Sequence, residues 1–544
     1  MKSILFFLLG LALSLSGQDQ NIIQPERIES TVQKSNLNRI VFLDKVIPME
    51  NLKETDFMNR ITFQDDKDFD VRVFMDNSLV NYLHRLDPSL SVDELLQKGN
   101  YQFTFYVDGK LIYRENLNPG AGKADAKTSK TTFRIPFISS TSEDSWGRYL
   151  WTRFYLANEG IDVLGPGNHI LTIEIRPYLE APTLQTGKVI AKGEINLVVQ
   201  QKEIPEQLIS IQKIKPGSGW EISKDKFDTD KIRLLNRKIA ENRFKDITSI
   251  IVIKNGKLLI EEYFNGSGRD SLQDTRSVGK SFASALTGIA IRDGYLRSEY
   301  QHLNEFYNLK RFKNYSSEKD HVTIKSLLTM SSGFEGNDDF PDSPGNEENM
   351  YPTDNWIHFA LDLPVALHKN WSYFTAGVVL TGDILEQSVP EGLEKYAHKK
   401  LFQPLGIERY KWSYTPQKKP SLAGGLRMRS LDFAKFGQLY QNKGLWNGNT
   451  ILDKDWIKKS FHNYFPDHDN FDGYGYLFWR KVYRTSNRIF ETYQSSGNGG
   501  NKVIMCTEIP VVIVITAKAY NKPYAHSQAD KIVQEYLLPA IDKP

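Results

Sequence analysis

Thr275-Arg276-Ser277-Val278-Gly279-Lys280-Ser281-Phe282-Ala283-Ser284-Ala285-Leu286-Thr287-Gly288-Ile289-Ala290-Ile291-Arg292-Asp293-Gly294 is the stretch on which the reading of this chain turns. From Ser277 to Ile291 the spacing is helical, and Phe282, Ala285, Leu286, Ile289 and Ala290 make it apolar on most faces. A helix apolar all round belongs inside a core. At its first turn Ser277 and Lys280 stand at i and i+3 and share a face. A serine hydroxyl is a weak nucleophile until a base takes its proton. A lysine can do so when burial or a neighbouring cation lowers its pKa. The positive end of the helix suits an oxyanion. Ser-x-x-Lys by itself says little, because it recurs at Ser210, Ser223 and Ser316. Those serines lie in polar linker or in a charged loop. Only Ser277 is set on a rigid, buried element.

Outward from this helix the pattern is α/β. Upstream, Ile247 to Ile253, the turn pair Asn255-Gly256, and Lys257 to Tyr263 read as a hairpin. Far downstream, Lys502 to Met505 and Val511 to Thr516 read as two strands around Glu508-Ile509-Pro510. A helix with Ile532, Val533, Tyr536 and Leu537 on one face closes the chain over Ser527 to Ile541. The sheet of this domain is therefore built from segments at opposite ends of it.

Further motifs follow in order. They are Val322-Thr323-Ile324-Lys325-Ser326-Leu327-Leu328-Thr329-Met330-Ser331-Ser332-Gly333-Phe334, then Leu401-Phe402-Gln403-Pro404-Leu405-Gly406-Ile407. After these come Ala423-Gly424-Gly425-Leu426, Asp432-Phe433-Ala434-Lys435-Phe436-Gly437 and Tyr474-Gly475-Tyr476 before Trp479. Together with Ser277-Val278-Gly279-Lys280-Ser281 they resemble the penicillin-binding-protein-like serine hydrolases, the class C β-lactamase superfamily. The motif style is nearest its esterase and 6-aminohexanoate-dimer hydrolase-like branch. The resemblance runs from about Ile247 to the C-terminus. It implies a β-lactamase-like transpeptidase fold, an antiparallel sheet flanked by helices plus a helical region. It also implies Ser277 as nucleophile, with Lys280 and Tyr373 handling protons. Tyr373-Phe374-Thr375 matches the second motif, Tyr-x-Asn, with threonine in place of asparagine. Thr375 is expected to bond Lys280 in a reduced version of the amide's role. The third motif, Lys-Thr-Gly or His-x-Gly, is matched to Asn498-Gly499-Gly500, which would line the substrate. By the same resemblance the Ser277 and Asn501 amides would form the oxyanion hole. Asparagine at 498 brings no cation, so neutral substrates are expected to be preferred over those with a carboxylate beside the scissile bond. Three readings stand: a serine hydrolase cutting an amide or ester, a D,D-peptidase acting on cell-wall peptides, and a non-catalytic binding protein on the same fold.

Upstream of position 203 the chain reads differently. Short alternating runs at Tyr101 to Val107, Lys110 to Tyr113, Thr132 to Ile138, His169 to Ile175 and Val189 to Val199, with turns such as Asp108-Gly109, suggest an all-β sandwich-like domain over 38–202. No catalytic constellation is legible there. Residues 203–225, with Pro205, Pro216, Gly217 and Gly219, read as a linker, and 226–544 as the hydrolase domain. Met1-Lys2, the apolar run Ile4 to Leu13 and Ser14-Leu15-Ser16-Gly17 read as a signal peptide over 1–17. The protein is thus expected to be exported, to a bacterial periplasm or the cell exterior, with no membrane span after signal removal. The single cysteine, Cys506, rules out an intramolecular disulfide. A net charge of +3 from 69 basic and 66 acidic residues, with no basic cluster, gives no footprint for nucleic acid. The Gly-x-Ser-x-Gly and His-Glu-x-x-His signatures are absent from the sequence. The expected partner is a small-molecule or peptide substrate, and no metal or cofactor is called for.

Overall fold

A computed structural model describes residues 21–64, 67–141, 146–200, 203–366, 370–466 and 472–542. The expected signal segment lies outside the described residues. The chain divides into two compact units, one ending at Glu203 and one beginning at Ile204.

The first unit holds two sheets, as the sandwich-like reading expects. One runs Arg60–Phe63, Ala191–Val199, Gly167–Glu180, Gly99–Val107, Lys110–Asn116, and the other Ile40–Leu43, Phe69–Phe74, Thr132–Ile138. Aromatic rings join their inner faces, with Tyr101 over Phe133 at 4.8 Å and Phe105 beside Phe137 at 6.0 Å. The connections also carry short helices, among them Leu79–Leu86 and Val92–Lys98, which the strand pattern does not announce. The second opens with a capping box between Ser91 and Glu94, a local signal independent of the strand periodicity.

The second unit is built on a seven-stranded antiparallel sheet. Its strands are β1 (Ile247–Lys254), β2 (Lys257–Tyr263), β3 (Gly473–Tyr474), β4 (Trp479–Arg484), β5 (Ile489–Gly497), β6 (Asn501–Cys506) and β7 (Val511–Ala517). They lie in the order β2-β1-β7-β6-β5-β4-β3. The β1–β2 turn falls at Asn255 and Gly256 with φ of 53° and 74°, the left-handed pair a tight hairpin requires. Cys506, at the buried end of β6, packs as a small hydrophobe, and burial pushes its thiol up to about 12.

Three helices frame the site: α1 (Gly279–Arg292), α2 (Thr375–Ser388) and α3 (Ser430–Gln441). Every residue of α1 from Gly279 to Ala290 is buried, as its composition demands. Its position is fixed by shape. Gly288 leaves room for the Trp456 ring, which a Cβ there would meet at 2.6 Å, and Trp456 Nε1 donates to the Ser284 carbonyl. Phe282 stacks on Phe436 of α3 with ring centres 3.8 Å apart. The Ser281 hydroxyl donates to the Leu477 carbonyl at 2.7 Å.

The expected linker is not one. Ile209 is buried and Gln212 exchanges hydrogen bonds with Glu262 and Tyr263. Ser223 and Leu258 are also bonded through their backbones. Proline and glycine break regular structure here, but the isoleucines between them still pack into the second unit's core.

Candidate active site

The approach to α1 is strained. Arg276 has φ of 52°, a left-handed conformation that L-residues rarely adopt, and Arg276–Val278 then form a 3-10 turn that runs into α1. Two contacts hold the bend. The Arg276 guanidinium lies 4.8 Å from the centre of the Tyr520 ring, and the Tyr520 hydroxyl donates to the Asp274 carbonyl at 2.7 Å. The result presents Ser277, half-buried, at the head of a buried helix.

Lys280, one turn on, donates from Nζ to Ser277 Oγ at 2.8 Å and to the Ala423 carbonyl at 2.7 Å. The second bond explains the small residues around Ala423. A Cβ on Gly424 would meet the Arg276 backbone at 3.2 Å, so this loop can run beneath the helix start only if it lacks side chains. Tyr373 completes the group. Its ring centre is 5.2 Å from Lys280 Nζ, and it walls the cleft beside Ser277. Burial pushes the Tyr373 pKa above its ordinary value, while the Lys280 charge and the Ser277 hydroxyl pull it back only in part. The sequence-derived trio therefore converges.

The other expectations fare differently. Thr375 is buried at the first position of α2, but its hydroxyl has no hydrogen-bond partner, and it is not among the acceptors of Lys280. Its backbone N–H donates to Asp338 Oδ2 at 2.7 Å. The glycine that lies against Ser277 is Gly497, at the end of β5. A Cβ on it would fall 2.0 Å from the Thr275 carbonyl oxygen and 3.1 Å from Ser277 N. Gly499 and Gly500 form the turn beyond, with φ of 93° and 87°, packed on Tyr520 and Ala525. The glycine in closest approach to the serine turn thus falls three residues before the expected Gly500, in Ser495-Ser496-Gly497. Asn498 is exposed, and its side chain is tied to Asn521 by reciprocal hydrogen bonds. Asn501 is buried at the start of β6, paired across to Gly497, with its side chain bonded to both the N–H and the carbonyl of Ala517. It is not on the cleft wall described next, whereas Asn498 is.

Ser277 stands where two arms of a cleft meet. One arm, about 520 Å³, is walled by Trp371, Tyr373 and Trp479, with Tyr373 stacked on Trp479 at 5.5 Å. The other, about 270 Å³, is lined by polar groups including Arg276, Arg427 and Tyr414. Ser277, Glu347 and Asn498 border both. Lys481 and Lys502 reach the first arm beside Asp530, Lys502 at 2.9 Å from its carboxylate and Lys481 at 3.9 Å. Asp338 and Gly497 are the residues that sequence reasoning missed. Gly497 lay in view inside a glycine-rich run. Asp338 carried no signal in a loop full of Asp and Asn.

A family model described as Beta-lactamase matches residues 241–537, more than half of the chain. No curated protein matches. Among solved structures the chain is similar to a Bacillus anthracis protein assigned as a 6-aminohexanoate-dimer hydrolase (16% identity, 54% of this chain and 79% of that one, TM-score 0.44). It is similar to an octameric penicillin-binding protein homologue from Pyrococcus abyssi (20%, 58% and 78%, TM-score 0.45). It is also similar to a class C beta-lactamase (17%, 56% and 95%, TM-score 0.41).

Proposed function

The chain belongs to the beta-lactamase family, and from that premise we propose that it is an exported serine hydrolase that cleaves an amide or ester through an acyl-enzyme on Ser277. The observation that carries this reading is the convergence of Lys280, hydrogen-bonded to Ser277 Oγ at 2.8 Å, and Tyr373, whose ring centre lies 5.2 Å from Lys280 Nζ on the same cleft wall as Ser277. Of the groups beside Ser277, the Tyr373 phenol is the one whose charged form is favoured by a neighbouring cation. The base is then Tyr373, with Lys280 as the cation that makes its phenolate attainable.

Tyr373 accepts the Ser277 proton as Oγ attacks the carbonyl carbon. The oxyanion is held by the Ser277 amide and by that of Asn498. Asn498 takes the role first given to Asn501 because it follows Gly497, which lies against Ser277 N, and borders both arms of the cleft. Each such donor contributes on the order of 3 kcal/mol to the transition state. Protonated Tyr373 returns the proton to the leaving nitrogen or oxygen, and the acyl group stays on Ser277. Water, deprotonated by Tyr373, attacks in turn, and the proton passes back to Ser277 as the acyl group leaves. The aromatic walls suit the apolar part of a small-molecule or peptide substrate. Export rests on the N-terminal sequence pattern.

The test is labelling with a fluorophosphonate probe, read by intact mass, beside Ser277→Ala. The parent should gain one probe mass and the variant none. An unlabelled parent, or a variant that still labels, sinks the reading. The unpartnered Thr375 hydroxyl favours the rival of a non-catalytic binding protein, and the same experiment decides between them.

A further inference from the structure

The second motif of the family carries an asparagine amide where this chain has Thr375, whose hydroxyl makes no hydrogen bond of ordinary geometry and acts on the Asp338 carboxylate. Asp338 grips the tyrosine segment from two sides. Its N–H donates to the Tyr373 carbonyl at 2.9 Å, and its Oδ2 accepts from Thr375 N at 2.7 Å. That N–H is an orphan donor at the start of α2, where Phe374 offers no capping side chain. The other oxygen, Oδ1, accepts from Glu347 N at 2.9 Å. The loop that delivers Asp338 is itself braced, with Asn346 Nδ2 donating to the carbonyls of Asn337, Asp338 and Phe340. Asp338 also borders the cleft beside Ser277 and Tyr373. Burial pushes its carboxyl up, and the Thr375 bond and the Lys280 charge oppose this.

We propose that Asp338 is a positioning residue for the Ser277–Lys280–Tyr373 group, clamping the backbone on both sides of Tyr373 and bringing a carboxylate within electrostatic reach of Lys280, beside the position where the family's asparagine is replaced. The proposal rests on the reading of Tyr373 as the base for Ser277. A plain helix cap would explain the bond to Thr375 N. It would explain neither the second grip on the Tyr373 carbonyl nor a carboxylate placed where the Lys280 charge acts on it. The groups that act on Tyr373 are Lys280 and Ser277, which favour the phenolate, and Asp338 and Glu347, which oppose it, with Tyr474 as the neighbouring phenol. Those acting on Asp338 are the Thr375 side chain and N–H, Lys280 and Glu347. Removing the Asp338 charge therefore lowers the Tyr373 pKa, and the rising limb of the pH–rate profile moves to lower pH.

The experiment uses the full chain with a neutral nitrophenyl ester and three variants. Asp338→Asn keeps the size and one acceptor but removes the charge. It should lower kcat at least tenfold with KM changed less than threefold, and shift the rising limb to lower pH. Asp338→Glu keeps the charge and displaces the clamp, so it should lose kcat with the limb in place. Adding Thr375→Asn to Asp338→Asn should restore kcat at least threefold, and it should do nothing comparable in the parent. The Tyr373 titration is followed independently in protein carrying [13Cζ]tyrosine, with the signal assigned by its loss in Tyr373→Phe. A Tyr373 titration unmoved in Asp338→Asn overturns the proposal, and so does full kcat in Asp338→Glu. If the parent neither labels nor hydrolyses the ester, the proposed function fails, and the tyrosine titration still decides the role of Asp338.

Discussion

Gly497→Ala is the sharpest perturbation the site offers. A methyl group there would sit 2.0 Å from the Thr275 carbonyl oxygen and 3.1 Å from Ser277 N. A carbon and an oxygen in contact stand on the order of 3.2 Å apart, so β5 and the serine turn must separate by about 1 Å. The atoms that move are backbone, on a strand paired on both sides and on a turn already strained at Arg276. A misplacement of that size in a preorganised site costs on the order of 100-fold in rate. Overpacking of this kind costs about 1–3 kcal/mol in stability, a substantial share of the roughly 5–15 kcal/mol of a folded domain but less than the whole. Gly497→Ala should therefore stay folded, with Tm lower by a few degrees, and lose at least about 100-fold in kcat/KM for a nitrophenyl ester. Gly499→Ala is the control. It strains the turn against Tyr520 but is removed from Ser277, so it should lose stability with activity within about tenfold, roughly 1.4 kcal/mol. Activity of Gly497→Ala within tenfold of the parent would refute the placement of the motif at Gly497.

The pH profile should be lopsided. Burial holds the Tyr373 pKa above its ordinary value, so the base is mostly protonated near neutrality, and kcat/KM should climb with pH through 7 to 9; a plateau already reached at pH 6 contradicts a tyrosine base. A chain beginning at Ile204 should fold and hydrolyse the neutral ester, whereas one beginning near Gln212 loses the buried Ile209 and should melt lower by circular dichroism; a folded, inactive chain from Ile204 would show that the first unit contributes to the site. Neutral substrates should outpace anionic ones. The reason now lies in the aromatic arm, where Asp338, Asp339, Glu347 and Asp530 face Lys481 and Lys502, rather than in Asn498 alone. Efficient turnover of a chromogenic cephalosporin, compared by kcat/KM with the nitrophenyl ester, would defeat this.

What the sequence conveyed depended on whether its cause was local. The hairpin at Asn255-Gly256 and the buried helix after Ser277 follow from turn chemistry and periodicity, and both stand where expected. Ser277 and Lys280 are one helical turn apart, so their meeting is also a local fact. The third motif was displaced because Gly497, Gly499 and Gly500 look alike in sequence. Only the register of β5 against β6 tells which of them abuts the serine. The bond expected from Thr375 to Lys280 assumed that the segment keeps its geometry when the side chain changes. In fact Lys280 turns to Ala423, and Asp338 engages the backbone at 375. The linker was misjudged because proline and glycine report on chain direction and not on burial.

The order of strands also has a bearing on how the second unit comes into being. β1 pairs with β7, and Ile251 and Val514 are partners although about 260 residues separate them. β7 lies between the hairpin made early in the unit and the strands that carry Gly497 and Trp479. While the chain is still being synthesised, the early hairpin has no neighbour on that side, and the nucleophile has no wall. Local contacts can form as they emerge, but joining the two halves of the sheet must wait for β7. A fold so dominated by distant pairings is slow to assemble. Throughout that wait the apolar face of β1 stays open to binding factors that hold unfolded chains. The cleft around Ser277 is therefore completed in one late step, when β7 slots in between β1 and β6.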